Sequence, residues 1–299
     1  MLTWFLLAIL SALLSSWVQT SQKWAITLTR YSRISILFIA SLISTALLFF
    51  VSYFIIGWPV IGSQFWLAVL VTGVLNIIAW PIMLKAYELG EFSSVYSMIL
   101  LTPLFMLLTS FLFLGEIPSW AGIIGVILTV VGLWVISKKS NHQPVPNYFK
   151  GNLLGMCVAL LWSVSVNFDK LSAVYSDVYF APAVSTAMMA IGYAVYLLIR
   201  HRRFLVKENT LANHDIGQSS RLLPAWTIII LLGVTLTLSN IVHNAALLHG
   251  LASYTIAIKR IGILFGVLWG WLFFHERDIF KKLLGATVAV AGVIVILLS

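Results

Sequence analysis

The chain has 299 residues, of which 61% are hydrophobic and only 9% charged, with a mean hydropathy of +1.03. A water-soluble domain carries about 25% charged residues and could not hide this much apolar surface, whereas in lipid the outside of a protein is apolar too. The net charge of +9 does not point to nucleic acid, because the basic residues stand between apolar runs and form no single patch.

In chain order, apolar runs long enough to span a bilayer cover 2–20, 34–56, 65–86, 93–114, 119–137, 152–173, 178–199, 223–247, 252–274 and 281–298. Each is expected to be a helix, since lipid offers no partner to open backbone groups. The first run lacks a basic leading segment and a cleavage site before a polar chain, so it is expected to stay as a first helix. Two segments are polar, KKSNHQPVPNYFK at 138–150 and the stretch 200–222. The first lies at the midpoint and reads as a linker between a first half, 1–137, and a second, 151–299. Cys157 lies inside an apolar run, permits neither an internal disulfide nor a cysteine metal site, and reads as a packing residue.

The halves repeat one another. At a shift of 160, Gly73, Ala86, Gly90, Ser93 and Phe105 meet Gly233, Ala246, Gly250, Ser253 and Phe265. Leu112, Phe113, Glu116, Gly125 and Gly132 meet Leu272, Phe273, Glu276, Gly285 and Gly292. The first helices align at a shift of 147, where Ser16 and Lys23 meet Ser163 and Lys170. The polar 200–222 segment accounts for the difference between the two shifts.

Charge sets the orientation. Loops one, three, five, seven and nine carry Lys23, Arg30, Arg33; Lys85; Lys138, Lys139, Lys150; Arg200, Arg202, Arg203, Lys207, Arg221; and Arg277, Lys281, Lys282. The positive-inside rule places these loops in the cytoplasm and both termini outside. The basic residues follow the first and third helices of the first half, but the second and fourth of the second. A repeat with five spans re-enters from the other side, so the expected fold is an all-α membrane protein of ten transmembrane helices in two inverted five-helix repeats.

TPLFMLLTSFLFLGEIPSWAGIIGVILTVVGLWVI, and its counterpart ending FGVLWGWLFFHERDIFKKLLGATVAVAGVIVIL, resemble the EamA-type members of the drug/metabolite transporter superfamily. ALLWSVSVNFDK and LKAYELGEFSSVYSMILLTP are similar to that family's first and third-to-fourth helices. The resemblance implies a multi-pass transporter of the plasma membrane (a bacterial inner membrane). It implies a central cavity lined by helices one, three, four, six, eight and nine, with five and ten as scaffold.

Within that frame, Lys259 and Arg260 stand out, about 10–12 Å into a hydrocarbon core about 30 Å thick. A cation there is costly and needs a cavity, a partner or a substrate. The two hold an anionic group near the midplane, form a structural ion pair with Asp169, with Glu88 and Glu91 toward the other side, or snorkel to the interface, which is poor at this depth. Lys259 shares a helix stripe with Thr255, Gly262, Gly266 and Gly270, which suits close helix approach, while Arg260 points to the side. One of them is therefore expected at a seam and the other in a cavity. A Lys-Arg pair in the ninth helix is also similar to the plastid phosphate translocators, which tilts the reading toward anions; the first-half counterparts are Ile99 and Leu100.

The same cavity is expected to draw on Asn76, Trp80, Tyr96, Trp162, Ser163, Asn167, Asn240 and Asn244, each of which could instead make an interhelical hydrogen bond. His243 is expected as a satisfied interfacial histidine. Glu116 and Glu276 are expected to favour the start of the helix that follows each, and Gly125, Gly132, Gly285 and Gly292 to allow close packing. No nucleophile motif, phosphate loop or metal cluster is present, so neither an enzyme nor a cofactor is expected. The reading is a transporter of a small organic metabolite, anionic or phosphorylated, whose partners are that solute and the lipid. The alternative is a flippase for a lipid-linked substrate.

Overall fold

A computed structural model describes residues 2–29, 31–55, 57, 59–102, 104–105, 120–137, 147–199, 225–249 and 252–298. Its helices are α1 Leu2–Leu28, α2 Arg33–Ile55, α3 Phe65–Leu89, α4 Phe92–Ser97, α5 Trp120–Ser137, α6 Tyr148–Val174, α7 Phe180–Ile199, α8 Ala225–His249, α9 Ala252–Arg260, α10 Gly262–Phe274 and α11 Ile279–Leu297. Six helices, α1, α2, α3, α6, α7 and most of α8, are long and apolar enough to cross a membrane among the described residues. Glu116, most of the 138–150 linker and the 200–222 segment lie outside the described residues.

The outside is apolar, and polar side chains lie among the apolar residues of the interior. Phe54, Trp66, Trp134 and Leu284 are exposed, while Ser11, Ser16, Gln19, Thr72, Ser93 and Ser165 are buried. An apolar outside suits a solvent of hydrocarbon. Between such helices there is little hydrophobic drive, so small residues and polar contacts carry the packing.

The pairing of the halves shows this at α5 and α11. Gly132 packs on Gly285 and Ala289, while Gly125 and Thr129 pack on Gly292. Residue numbers rise on one helix as they fall on the other, so the two run antiparallel. Likewise Thr45 donates to Thr186 at 3.0 Å and Phe49 meets Phe180 with ring centroids 5.9 Å apart, so α2 and α7 are antiparallel. Helix α3 packs along α6 and α1 along α8.

Two spans expected as unbroken helices are interrupted. After α4 the chain tightens into a 3₁₀ turn at Met98–Leu100. The run expected over 252–274 divides at Ile261, whose N–H donates to Ile258 O at 3.0 Å while its carbonyl accepts from Leu264 N at 3.0 Å. Close packing flanks the second break. Gly262 sits so close to Ala12 that a Cβ there would lie 2.7 Å from the Ala12 carbonyl oxygen, and Gly266 faces the Tyr96 ring.

The α5–α11 seam yields a prediction. A Cβ at Gly292 would lie 2.5 Å from the Thr129 backbone N, and one at Gly285 2.8 Å from Gly132 O. Gly285→Val should therefore lower stability by about 1–3 kcal/mol through overpacking. Ala291→Val, on the exposed face of α11, should change it by less than about 0.5 kcal/mol. Thermal unfolding of the purified protein reads both.

Candidate functional site

Seven helices enclose a cavity. Its lining includes Asn76 and Trp80 from α3, Tyr96 from α4, Trp162 and Asp169 from α6, Asn240 and Asn244 from α8, and Lys259 and Arg260 from α9. Ser15 and Gln19 of α1 and Ser185 and Thr186 of α7 complete it. Sequence reasoning missed α7, and also Ser15 and Gln19. The polar stripe Ser11, Ser15, Gln19, Gln22 along an otherwise apolar helix was the available signal. Helices α5 and α11 contribute no lining residue.

One wall is a hydrogen-bonded band between α3 and α6. The Thr72 hydroxyl donates to the Asp169 carboxylate and lies 2.7 Å from Ser165 Oγ. The Asn76 amide donates to Thr72 O at 3.0 Å and Ser165 Oγ at 3.1 Å, and accepts from Trp162 Nε1 at 3.1 Å. Trp80 meets Trp162 edge to face at 5.0 Å. Each partner fixes the next, so Asp169 and Trp162 present fixed surfaces to the cavity.

Lys259 and Arg260 both reach this cavity, in place of the expected division between seam and cavity. The glycine stripe alone serves the seam, seating Tyr96 on Gly262 and Gly266. Arg260 is 7% exposed and its Nε has no hydrogen-bond partner. Among the described residues no carboxylate lies within 4.0 Å of either cation, so Asp169 makes no ion pair with them. His243 is buried and lines the cavity with Nδ1 unpartnered, which corrects its expected interfacial place. Asn167 is exposed on α6, donating to Ser163 O at 3.2 Å on its own helix, and is not a lining residue. Ser163 turns its hydroxyl to Leu160 O at 2.7 Å.

Charges close one end of the molecule. Lys282, 4% exposed, bonds Glu91 at 2.6 Å and Glu276 at 3.0 Å. Glu276 accepts from the Ser93 backbone N–H at 3.1 Å and from the Ser93 hydroxyl. It thus caps α4, in the other half of the chain, as well as pairing within the first turn of α11. The expected role at the following helix was too narrow, because the close approach of Gly270 to Glu276 and Ser93 brings the α4 terminus within reach. At the same end Lys23 donates to Tyr87 O, and the Tyr87 hydroxyl donates to Gln19 at 2.7 Å.

Residues 2–138 match the EamA-like transporter family. Two curated relatives, each named pseudopaline exporter CntI and each from a strain of Pseudomonas aeruginosa, are 27% identical over 179 residues. The match covers 59% of this chain and 55% of the relatives, so the chain spans about half the length of the curated relatives it matches. A solved structure described as "Crystal structure of protein" has a TM-score of 0.68 at 14% identity, over 98% of this chain and 97% of that one, a likeness of fold alone.

Lys282 anchors the charged end, and removing it leaves two carboxylates buried. Lys282→Met should cost about 3–5 kcal/mol. Adding Glu91→Gln and Glu276→Gln should recover much of that loss. Denaturation midpoints of the purified single and triple variants measure it.

Proposed function

With residues 2–138 an EamA-like transporter segment, in a family of transporters and not of enzymes, we propose that the whole chain is a secondary transporter of a small organic anion. It works by alternating access between two inverted five-helix repeats, 1–137 and 151–299, joined by the 138–150 linker, in a bacterial inner membrane. The observation that carries the substrate reading is the pair Lys259 and Arg260, facing one cavity with no carboxylate partner among the described residues. A buried cation without a counter-ion is expensive, and an anionic solute, carboxylated or phosphorylated, offsets that cost while it is bound.

The inverted arrangement draws support from the antiparallel packing of equivalent helices, α2 on α7 and α5 on α11. Alternating access draws support from size and from the closed end. The cavity holds about 140 Å³, below the roughly 300–1,000 Å³ of typical ligand sites, so a metabolite needs the walls to part. The lining residues of α6, α7 and α8 extend away from the Lys282 end, which favours that end as the closed gate. The exporter names of the relatives favour outward transport.

Lys259→Met and Arg260→Met should each abolish transport while leaving membrane insertion and Tm near those of the wild type. Uptake into inverted vesicles measures the first, and thermal unfolding the second. Normal transport by both variants would sink the anion site. Substrate supplied free in solution or linked to lipid separates solute transport from a flippase.

A further inference from the structure

The cavity carries side chains of both charge signs that, among the described residues, form no direct ion pair with one another. On the α3–α6 wall, Asp169 is half-buried and accepts a hydrogen bond from the Thr72 hydroxyl. On α9, Lys259 and Arg260 reach the same space, with Arg260 Nε buried and unpartnered. More than 4.0 Å separates the Asp169 carboxylate from either cation. A direct pair would have been the simplest way to lower the cost of three charges in a membrane. The chain instead holds the carboxylate back on its own wall. Thr72 tethers Asp169, and Ser165 and Asn76 tether Thr72 in turn.

Neither charged group is scaffold shared by the two halves. The counterpart of Asp169, at a shift of 147, is Gln22, and that of Lys259, at a shift of 160, is Ile99. Beside Asp169 on the same helix face, two turns earlier, Trp162 is locked against Trp80 and Asn76. Aromatic faces attract cations, so this wall favours positive charge twice over, while the α9 wall favours negative charge.

We propose that the cavity binds an amphoteric solute, with a carboxylate at Lys259 and Arg260 and an ammonium at Asp169, beside Trp80 and Trp162. Asp169 is then a substrate-binding residue, and Thr72 a positioning residue that aims it. The proposal rests on the anion site above and adds the second charge that the solute carries.

The test compares three probes of one carbon skeleton on the purified full chain, read as thermal stabilisation at millimolar concentrations. Glutarate has the two carboxylates alone, L-glutamate adds the ammonium, and N-acetyl-L-glutamate masks it. Wild type should bind L-glutamate at least about tenfold more tightly than the other two, in keeping with the gain from one well-placed charged contact. The isosteric Asp169→Asn should lose that preference and bind all three alike. Thr72→Val, which keeps the carboxylate but frees it, should narrow the preference without abolishing it. The inference is overturned if wild type shows no preference, if none of the probes stabilises it, or if Asp169→Asn keeps the preference. Equal binding of all three probes by wild type, lost in Lys259→Met, would remove the ammonium subsite and leave the anion site standing. Undiminished glutarate binding in both Lys259→Met and Arg260→Met would remove the anion site itself.

Discussion

Hydrocarbon neither hydrogen-bonds an open backbone nor solvates a charge, and the rest of this structure follows from that constraint. Polar side chains turn inward, where Thr72, Asn76 and Ser165 bond to one another across two helices. Helices meet through glycine, as at Gly132 and Gly285, because apolar surface gains little by leaving lipid for protein. Buried charges have two solutions here. Lys282 is paired with Glu91 and Glu276 and capped into the fold. Lys259 and Arg260 are left facing space. A charge that only had to be tolerated could have been paired in the first way.

Symmetry supplies the positions around that space, and departures from symmetry supply its chemistry. Ser15 and Trp162, Val18 and Ser165, and Gln19 and Val166 stand 147 residues apart and line the cavity in pairs. Asn76 and Leu236, Trp80 and Asn240, Tyr96 and Ile256, and Ile99 and Lys259 do so at 160. The paired backbone sites are kept while the side chains differ. The charged end departs from symmetry in the same way. The counterparts of Glu91 and Lys282 are Leu251 and Gly122, so the symmetry-related positions cannot form the same ion cluster.

Much of the fold was legible because its signals are long and repeated. Run length marks a span, and glycines in register over two helices mark a duplication. Run length also misled, since it cannot register a break inside an apolar stretch such as the one at Ile261. Most of the polar candidates of the cavity were legible too, because a polar side chain inside a span must turn to protein or to a cavity. Asn167 failed that test by angle. It lies two residues from both Ser165 and Asp169, about 200° around the helix from each, and satisfies its amide on its own backbone at Ser163. The reach of Glu276 to Ser93 was illegible for another reason. The partner lies 183 residues away, and only the docking of the two halves brings it near.

The two helix breaks lie beside the cavity. The 3₁₀ turn at Met98–Leu100 and the interruption at Ile261 fall at equivalent points, since Leu101 and Ile261 stand 160 apart. Irregular backbone survives at membrane depth only where protein covers it or a cavity lies beside it, and both breaks adjoin lining residues, Ile99 on one side and Lys259 and Arg260 on the other. A helix whose ladder is already loosened bends there with the least further loss of hydrogen bonds. Lys259 and Arg260 therefore stand at one of the two loosened points, and the apolar Ile99 at the other. On the proposed alternating-access cycle, an anion bound at Lys259 and Arg260 would act directly on the loosened α9–α10 junction, without relay through the scaffold of α5 and α11.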